Sequence, residues 1–106
     1  MFGQGDFDGA GVAMKPRICV ATGDQGADLI AHLDGRSIVI QAKRYRGSVG
    51  NRAIQEVAGA MRYYRADEAW VITTGTFTAS AKALAQANNV KLVDGYALRN
   101  RRFPLN

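Results

Sequence analysis

Asp34-Gly35 stands between two apolar-rich runs, Ala27–Leu33 and Arg36–Lys43, and nothing else in the chain limits the fold so tightly. Asp-Gly is favoured in two-residue hairpin loops, because both central positions of a type I′ turn need positive φ. With these residues as the turn, Leu33 faces Arg36 and the pairing along both strands follows, Asp28 falling opposite Gln41. Side chains alternate along a strand, so Asp28, Ile30 and His32 share one face with Gln41 and Lys43. The opposite face carries Leu29, Ala31, Leu33, Ile38 and Ile40 and reads as core. A carboxylate, an amide and an ammonium thus converge at the end of the hairpin away from its turn.

The remaining pattern surrounds this hairpin with alternating elements. Arg17–Ala21 is a short strand, followed by the glycine-bearing segment Thr22–Gly26. Gly50–Tyr64 places Ala53, Ile54, Val57, Ala58, Met61 and Tyr64 at helical spacing. Ala69–Thr73 is an apolar strand, and Thr78–Asn88 an Ala-rich helix that Thr76 or Thr78 can cap and Asn89 can end. Val90–Val93 is the last strand. Strand, helix, strand over residues 69–93 is a βαβ unit, which implies parallel pairing and a right-handed crossover. The expected fold is α/β, a mixed β-sheet flanked by helices in the order β-β-β-α-β-α-β.

Residues 1–16 read as a glycine-rich arm, with glycines at 3, 5, 9 and 11, two aspartates (Asp6, Asp8) and no apolar periodicity. They match neither the P-loop nor the dinucleotide fingerprint. Residues 17–98 form the expected domain, and 99–106 a basic, solvated tail. At 106 residues one domain is expected, and 47% hydrophobic with 22% charged residues excludes wholesale disorder. Fourteen Lys and Arg against nine Asp and Glu give a net charge of +5, which fits a polyanionic partner. The one cysteine, Cys19, cannot form an internal disulfide and reads as a small apolar strand residue. No run approaches the ~18 apolar residues of a membrane span and the N-terminus is no signal peptide, so a cytoplasmic protein is expected.

Phosphodiester hydrolysis needs a set like the one at the hairpin end. A hard cation takes oxygen ligands, which Asp28, the Gln41 amide and the Ala42 carbonyl can offer. Such a metal polarises a phosphoryl oxygen and acidifies an attacking water, while Lys43 can hold that water or stabilise charge on the phosphorus. From the residues alone a second reading stays open: Asp28 merely ends a strand, and Lys43 begins a solvated basic run.

Gly26-Ala27-Asp28-Leu29-Ile30-Ala31, followed by Ile38-Val39-Ile40-Gln41-Ala42-Lys43-Arg44-Tyr45, resembles the catalytic domain of the Mrr-like restriction endonucleases, within the PD-(D/E)xK nuclease superfamily. The hallmark is an aspartate on one strand and a Q-x-K or E-x-K triplet on the next. The likeness extends through Val49-Gly50, Gly59-Ala60-Met61, Val71-Ile72-Thr73-Thr74 with Phe77, Asn88-Asn89-Val90 and Asp94-Gly95, covering residues 17–98. It implies a restriction-endonuclease-like core and a Mg²⁺- or Mn²⁺-dependent endonuclease acting on DNA. Asp28 and Gln41, with the Ala42 carbonyl, would be metal ligands, and Lys43 the catalytic base or charge stabiliser. Two departures stand out. The helix that usually precedes the first strand, often carrying another acid, is replaced by the glycine-rich arm, so either the chain is truncated, or Asp6 or Asp8 substitutes, or a partner supplies the missing element. Glutamine also replaces the superfamily's commoner glutamate, as is usual in the Mrr branch, and removes one negative charge.

Arg44, Tyr45 and Arg46, with Arg52 at the start of the first helix, are placed to grip phosphates, contacts that position nucleic acid without reading its sequence. Gln55 and Glu56 fall outside the apolar stripe, where either could face the metal but surface is the first reading, and His32 near the turn also reads as surface. Thr73 and Thr74 end a strand, and Tyr63, Tyr64 and Trp70 read as core or dimer contacts. A homodimer or larger assembly is expected, since cutting both strands of a duplex takes two sites or the movement of one. Two other functions remain: a nucleic-acid-binding remnant of the nuclease fold with weak or no catalysis, and a small oligomeric interaction protein.

Overall fold

Leu33 pairs with Arg36, and the facing residues follow in order to Leu29 opposite Ile40, in a computed structural model that describes residues 18–104. The turn residues have φ of 50° at Asp34 and 83° at Gly35, both positive as the two-residue hairpin requires. The glycine-rich arm, including Asp6 and Asp8, lies outside the described residues. In chain order the elements are β1 (Ile18–Thr22), β2 (Leu29–Leu33), β3 (Arg36–Lys43), β4 (Ser48–Val49), α1 (Asn51–Tyr64), β5 (Glu68–Thr73), β6 (Thr76–Phe77), α2 (Ala79–Ala87), β7 (Val90–Val93) and α3 (Gly95–Arg99).

The main sheet runs β1-β2-β3-β5-β7. Its first three strands form an antiparallel meander, whereas β5 lies parallel to β3 and β7 parallel to β5. The split follows from the connections. A two-residue turn can only reverse the chain, while α1 and α2 are long enough to carry it back for parallel pairing. Thr78 caps α2, its Oγ1 accepting from the Ala81 amide at 3.0 Å. Asn89 leaves that helix with φ of 56°. A separate two-residue parallel ladder joins β4 to β6.

The apolar stripe of α1 (Ala53, Ile54, Val57, Ala58) packs on Val39, Ala69 and Val71, and α2 adds Ala81 and Ala85. The helices therefore cover the sheet face that carries Ile30, Val39 and Gln41, which corrects the expectation that Leu29, Ala31, Leu33, Ile38 and Ile40 face the core. Strands in a sheet with parallel pairing carry apolar residues on both faces, so counting them along one hairpin cannot choose the covered side. On the other face Ile38 and Trp70 are buried, Ala31, Leu33 and Ile40 are half-buried, and Leu29 is exposed. Cys19 is exposed on the edge strand β1.

Glu68 organises that second face. Its carboxylate accepts from the Trp70 indole at 3.0 Å and the Lys91 ammonium at 3.0 Å, and it also bonds the Arg36 guanidinium. Burial by itself would raise the Glu68 pKa; the three donors outweigh it and hold the carboxyl below its ordinary value. Beyond β7, α3 packs on β5 and β7, and Arg102 lies over the Tyr96 ring with its guanidinium carbon 5.7 Å from the ring centroid. Among the described residues no helix is long and apolar enough to cross a membrane.

Candidate active site

The two neighbours of β3 end at different heights. Pairing with β2 stops at Ile40, whereas pairing with β5 continues through Gln41 and Ala42 to Lys43 opposite Thr73. Residues 41–43 thus have a strand on one side and a notch on the other. Asp28, just before β2, fills the notch: its amide donates to the Ile40 carbonyl at 2.9 Å, and its Oδ2 accepts from the Ala42 amide at 2.9 Å. Carbonyl direction alternates along a strand, so the Ala42 carbonyl points to the same side as that of Ile40, into the notch. The expected meeting of Asp28 with residues 41–43 is therefore present, held by main-chain bonds as well as by register.

Gln41 is only 5% exposed, lying under α1 on the covered face. Its Nε2 donates to Glu56 Oε1 at 3.0 Å and to the Gly26 carbonyl at 3.3 Å. Its Oε1 is buried and has no hydrogen-bond partner among the described residues. A flipped amide would set this oxygen against a carboxylate and a carbonyl, two acceptors, so the bonding network assigns the orientation. Leaving a buried acceptor unpaired costs about 1–3 kcal/mol, and the cost vanishes when a cation is bound to it. With Asp28 and the Ala42 carbonyl, the donor set is all oxygen, the kind a hard cation takes. Among the described residues there is no cluster of three or more His, Cys, Asp or Glu side chains suited to a metal.

Gly26 makes the approach of α1 possible. It has φ of 91°, and a Cβ there would lie 2.5 Å from the Glu56 carbonyl oxygen. Glu56 itself receives a second bond from Arg52 Nε, at 3.3 Å. The Gln41 bond is the largest influence on the Glu56 carboxyl; burial opposes it, and the Arg52 bond and the Lys43 and Arg52 charges reinforce it, leaving the pKa below its ordinary value. Lys43 is exposed on the face that Gln41 occupies.

The other candidates sort by position. Arg44, Tyr45 and Arg46 are exposed in the segment after β3, anchored where Thr74 Oγ1 accepts from the Tyr45 amide at 3.0 Å and donates to its carbonyl at 3.1 Å. Arg52 has a side chain 90% exposed beside Glu56. His32 pairs with Ser37 next to the turn, at the far end of the hairpin from Asp28, and Gln55 is exposed. Thr73 is buried and its Oγ1 accepts from the Gly75 amide, a structural bond. Tyr64 bonds Asp24 through its hydroxyl, Tyr63 is exposed with its ring edge-on to Tyr64, and Trp70 is buried. Glu56 is the residue that sequence reasoning set aside as surface. The signal for it lies in its spacing, three residues after Ala53 and four before Ala60, both buried, which sets it on the rim of the stripe.

Over residues 8–101 the chain matches the sequence profile of a family described as restriction endonuclease. The chain belongs to this Mrr-like family. An Escherichia coli K12 protein, "Type IV methyl-directed restriction enzyme EcoKMrr", is 37% identical over 81 residues, 73% of this chain and 27% of that protein. A crystal structure titled as a protein of unknown function, AF1548, superposes with a TM-score of 0.59 at 19% identity, covering 76% of this chain and 48% of that one. At that identity the superposition speaks for the fold, a restriction-endonuclease-like mixed sheet flanked by helices. The chain spans about a quarter of the curated relative and about half of the solved one.

Proposed function

We propose that this chain is a metal-dependent nuclease domain that hydrolyses phosphodiester bonds of DNA, with its site in the notch beside β3. The observation that carries the reading is the buried, unpaired Oε1 of Gln41 on the strand end that Asp28 flanks. Asp28, Gln41 Oε1 and the Ala42 carbonyl would hold Mg²⁺ or Mn²⁺, which when bound polarises a phosphoryl oxygen and acidifies water. Asp28 serves two ends at once, since Oδ2 is committed to the Ala42 amide and Oδ1 is left for the cation. Lys43 donates hydrogen bonds from Nζ to phosphate oxygens and stabilises the charge that gathers there during displacement. Arg44, Tyr45, Arg46 and Arg52 lie at the same end of the sheet and hold neighbouring phosphates, setting the scissile bond against the notch without reading its sequence.

The test is cleavage of supercoiled plasmid with Mg²⁺ or Mn²⁺, using methylated and unmethylated DNA because the E. coli relative is named methyl-directed. Wild type nicks the plasmid, and Lys43→Ala and Asp28→Asn do not, while both variants keep the wild-type circular dichroism spectrum. Full activity in both variants removes the assignment. A second reading, a nucleic-acid-binding remnant, is favoured by the scarcity of acids, since among the described residues no cluster of three or more His, Cys, Asp or Glu side chains is suited to a metal. It predicts salt-sensitive DNA binding in EDTA and no cleavage with any divalent metal.

A further inference from the structure

We propose that Glu56 is a positioning residue of this site: it holds the Gln41 amide with its oxygen toward the notch, and it supplies from α1 the negative charge that a glutamate at position 41 would supply from β3. The inference rests on the nuclease reading for its purpose, but on contacts in the protein for its geometry.

A glutamine side chain has two nearly isosteric ends, and only the oxygen end can ligate a cation. Something must choose between them. Here both choosers are acceptors, Glu56 Oε1 at 3.0 Å and the Gly26 carbonyl at 3.3 Å, and both bind Nε2. The Gly26 carbonyl is neutral and its bond is the longer, so the carboxylate dominates the choice; bonds to an ionised acceptor are about twice as strong as neutral ones. Glu56 is held for this task in turn. Its Oε2 accepts from Arg52 four residues earlier on the same helix, which leaves Oε1 facing the amide. Donating to an anion also polarises the amide, drawing electron density to Oε1. The pair Glu56–Gln41 thus presents the notch with an amide oxygen backed by a full negative charge. The formal charge that the glutamine removes from the strand reappears one side chain away on the helix. This also accounts for an acid on the rim of the apolar stripe of α1, where an uncharged residue would pack with less desolvation.

The experiment combines a metal-binding arm and a metal-free arm. Glu56→Gln, an isosteric change on a half-exposed helical site, should leave the circular dichroism spectrum and melting profile close to wild type yet weaken Mn²⁺ binding by calorimetry about tenfold or more, the range seen when a partner of a metal ligand is removed. The exchanged double variant Gln41→Glu/Glu56→Gln restores the charge on the strand and gives it an amide donor on the helix. Its Mn²⁺ affinity should return to within a few-fold of wild type. Without metal, the Gln41 side-chain amide protons in ¹⁵N-labelled protein should exchange with water at least tenfold more slowly than those of exposed Gln55 and Gln86, and Glu56→Ala should abolish the difference. Affinity unchanged by Glu56→Gln, an exchanged variant no better than the single one, or Gln41 protons as fast as those of Gln55 would each overturn the proposal. If wild type neither binds Mn²⁺ nor cuts DNA, the nuclease reading falls, and the amide-exchange arm still decides whether Glu56 positions Gln41.

Discussion

The same substitution, glycine to alanine, should have opposite effects at two positions that share one helix contact. At Gly26 the backbone has φ of 91°, and a new Cβ would lie 2.5 Å from the Glu56 carbonyl oxygen of α1. Holding an L residue in a left-handed conformation costs about 1–2 kcal/mol. Relieving a backbone overlap by parting the loop from the helix costs about 1–3 kcal/mol more. Gly26→Ala should therefore lose roughly 2–5 kcal/mol, a large share of the ~5–15 kcal/mol of a typical domain. At about 4–8 °C per kcal/mol for a chain this size, the melting midpoint falls by roughly 8–40 °C. Gly59 lies within α1, and a Cβ there meets nothing within 4 Å beyond its own helix. Its replacement by alanine should stabilise the protein by about 0.5–1 kcal/mol, because glycine is the poorer helix former. Urea titration followed by circular dichroism measures both. A Gly26→Ala protein within about 0.5 kcal/mol of wild type, or a Gly59→Ala change that is the more damaging of the two, would refute this. Displacing α1 at Gly26 also disturbs the Gln41 amide, so Mn²⁺ affinity should fall with stability.

Glu68→Gln removes the charge that Arg36 and Lys91 share and should cost about 1–3 kcal/mol at neutral pH. Because the folded Glu68 carboxyl lies below its ordinary value, that stability is present above the unfolded pKa and disappears as pH falls through the folded one; the difference between wild type and variant should shrink below about pH 4, and a constant difference from pH 7 to 3 would refute it. Arg44→Ala and Arg46→Ala should weaken DNA binding alike on unrelated sequences, each lowering the slope of log K against log salt by about 1. A loss confined to one sequence would mean base contact. Double-strand cleavage would take two sites or the movement of one, and Val20 and Leu29 are exposed on the sheet face that the helices leave uncovered. Light scattering should give twice the 11.4 kDa chain mass or more, and a clean monomer would rule out the dimer.

The hairpin was legible because one dipeptide sets its turn and the side-chain period of two carries the register to Asp28 and Gln41. The βαβ unit over residues 69–93 was legible from the apolar run at the start of β5 and from the Thr78 cap of the Ala-rich α2. What stayed hidden depends on distances between elements. The choice of covered sheet face is made by α1 and α2, and Gln41, polar and 5% exposed, lies on the face that polarity alone would assign to solvent. Glu56 sits on a rim, and a helical pattern places a rim residue only once the helix has been laid on its sheet. β4 and β6, two residues each, have no periodicity to detect, and α3 spans five residues, fewer than two turns. Its cap is plain only in the fold, where Asp94 Oδ1 accepts from the Ala97 amide at 2.8 Å.

The hairpin also sets where the protein tolerates addition. Asp28 and the Asp34-Gly35 turn stand at opposite ends of β2, about 20 Å apart at ~3.4 Å per residue. A Cβ at Gly35 would meet nothing within 4 Å, so the turn projects into open space. Loop tips of this kind accept inserted chain. A peptide or small folded module whose own ends lie within ~5 Å, the spacing of paired strands, can be spliced between Asp34 and Gly35 while leaving the register of both strands in place. A fluorescent or DNA-targeting module carried there would ride on the same rigid strands as the notch, at a fixed distance from Asp28.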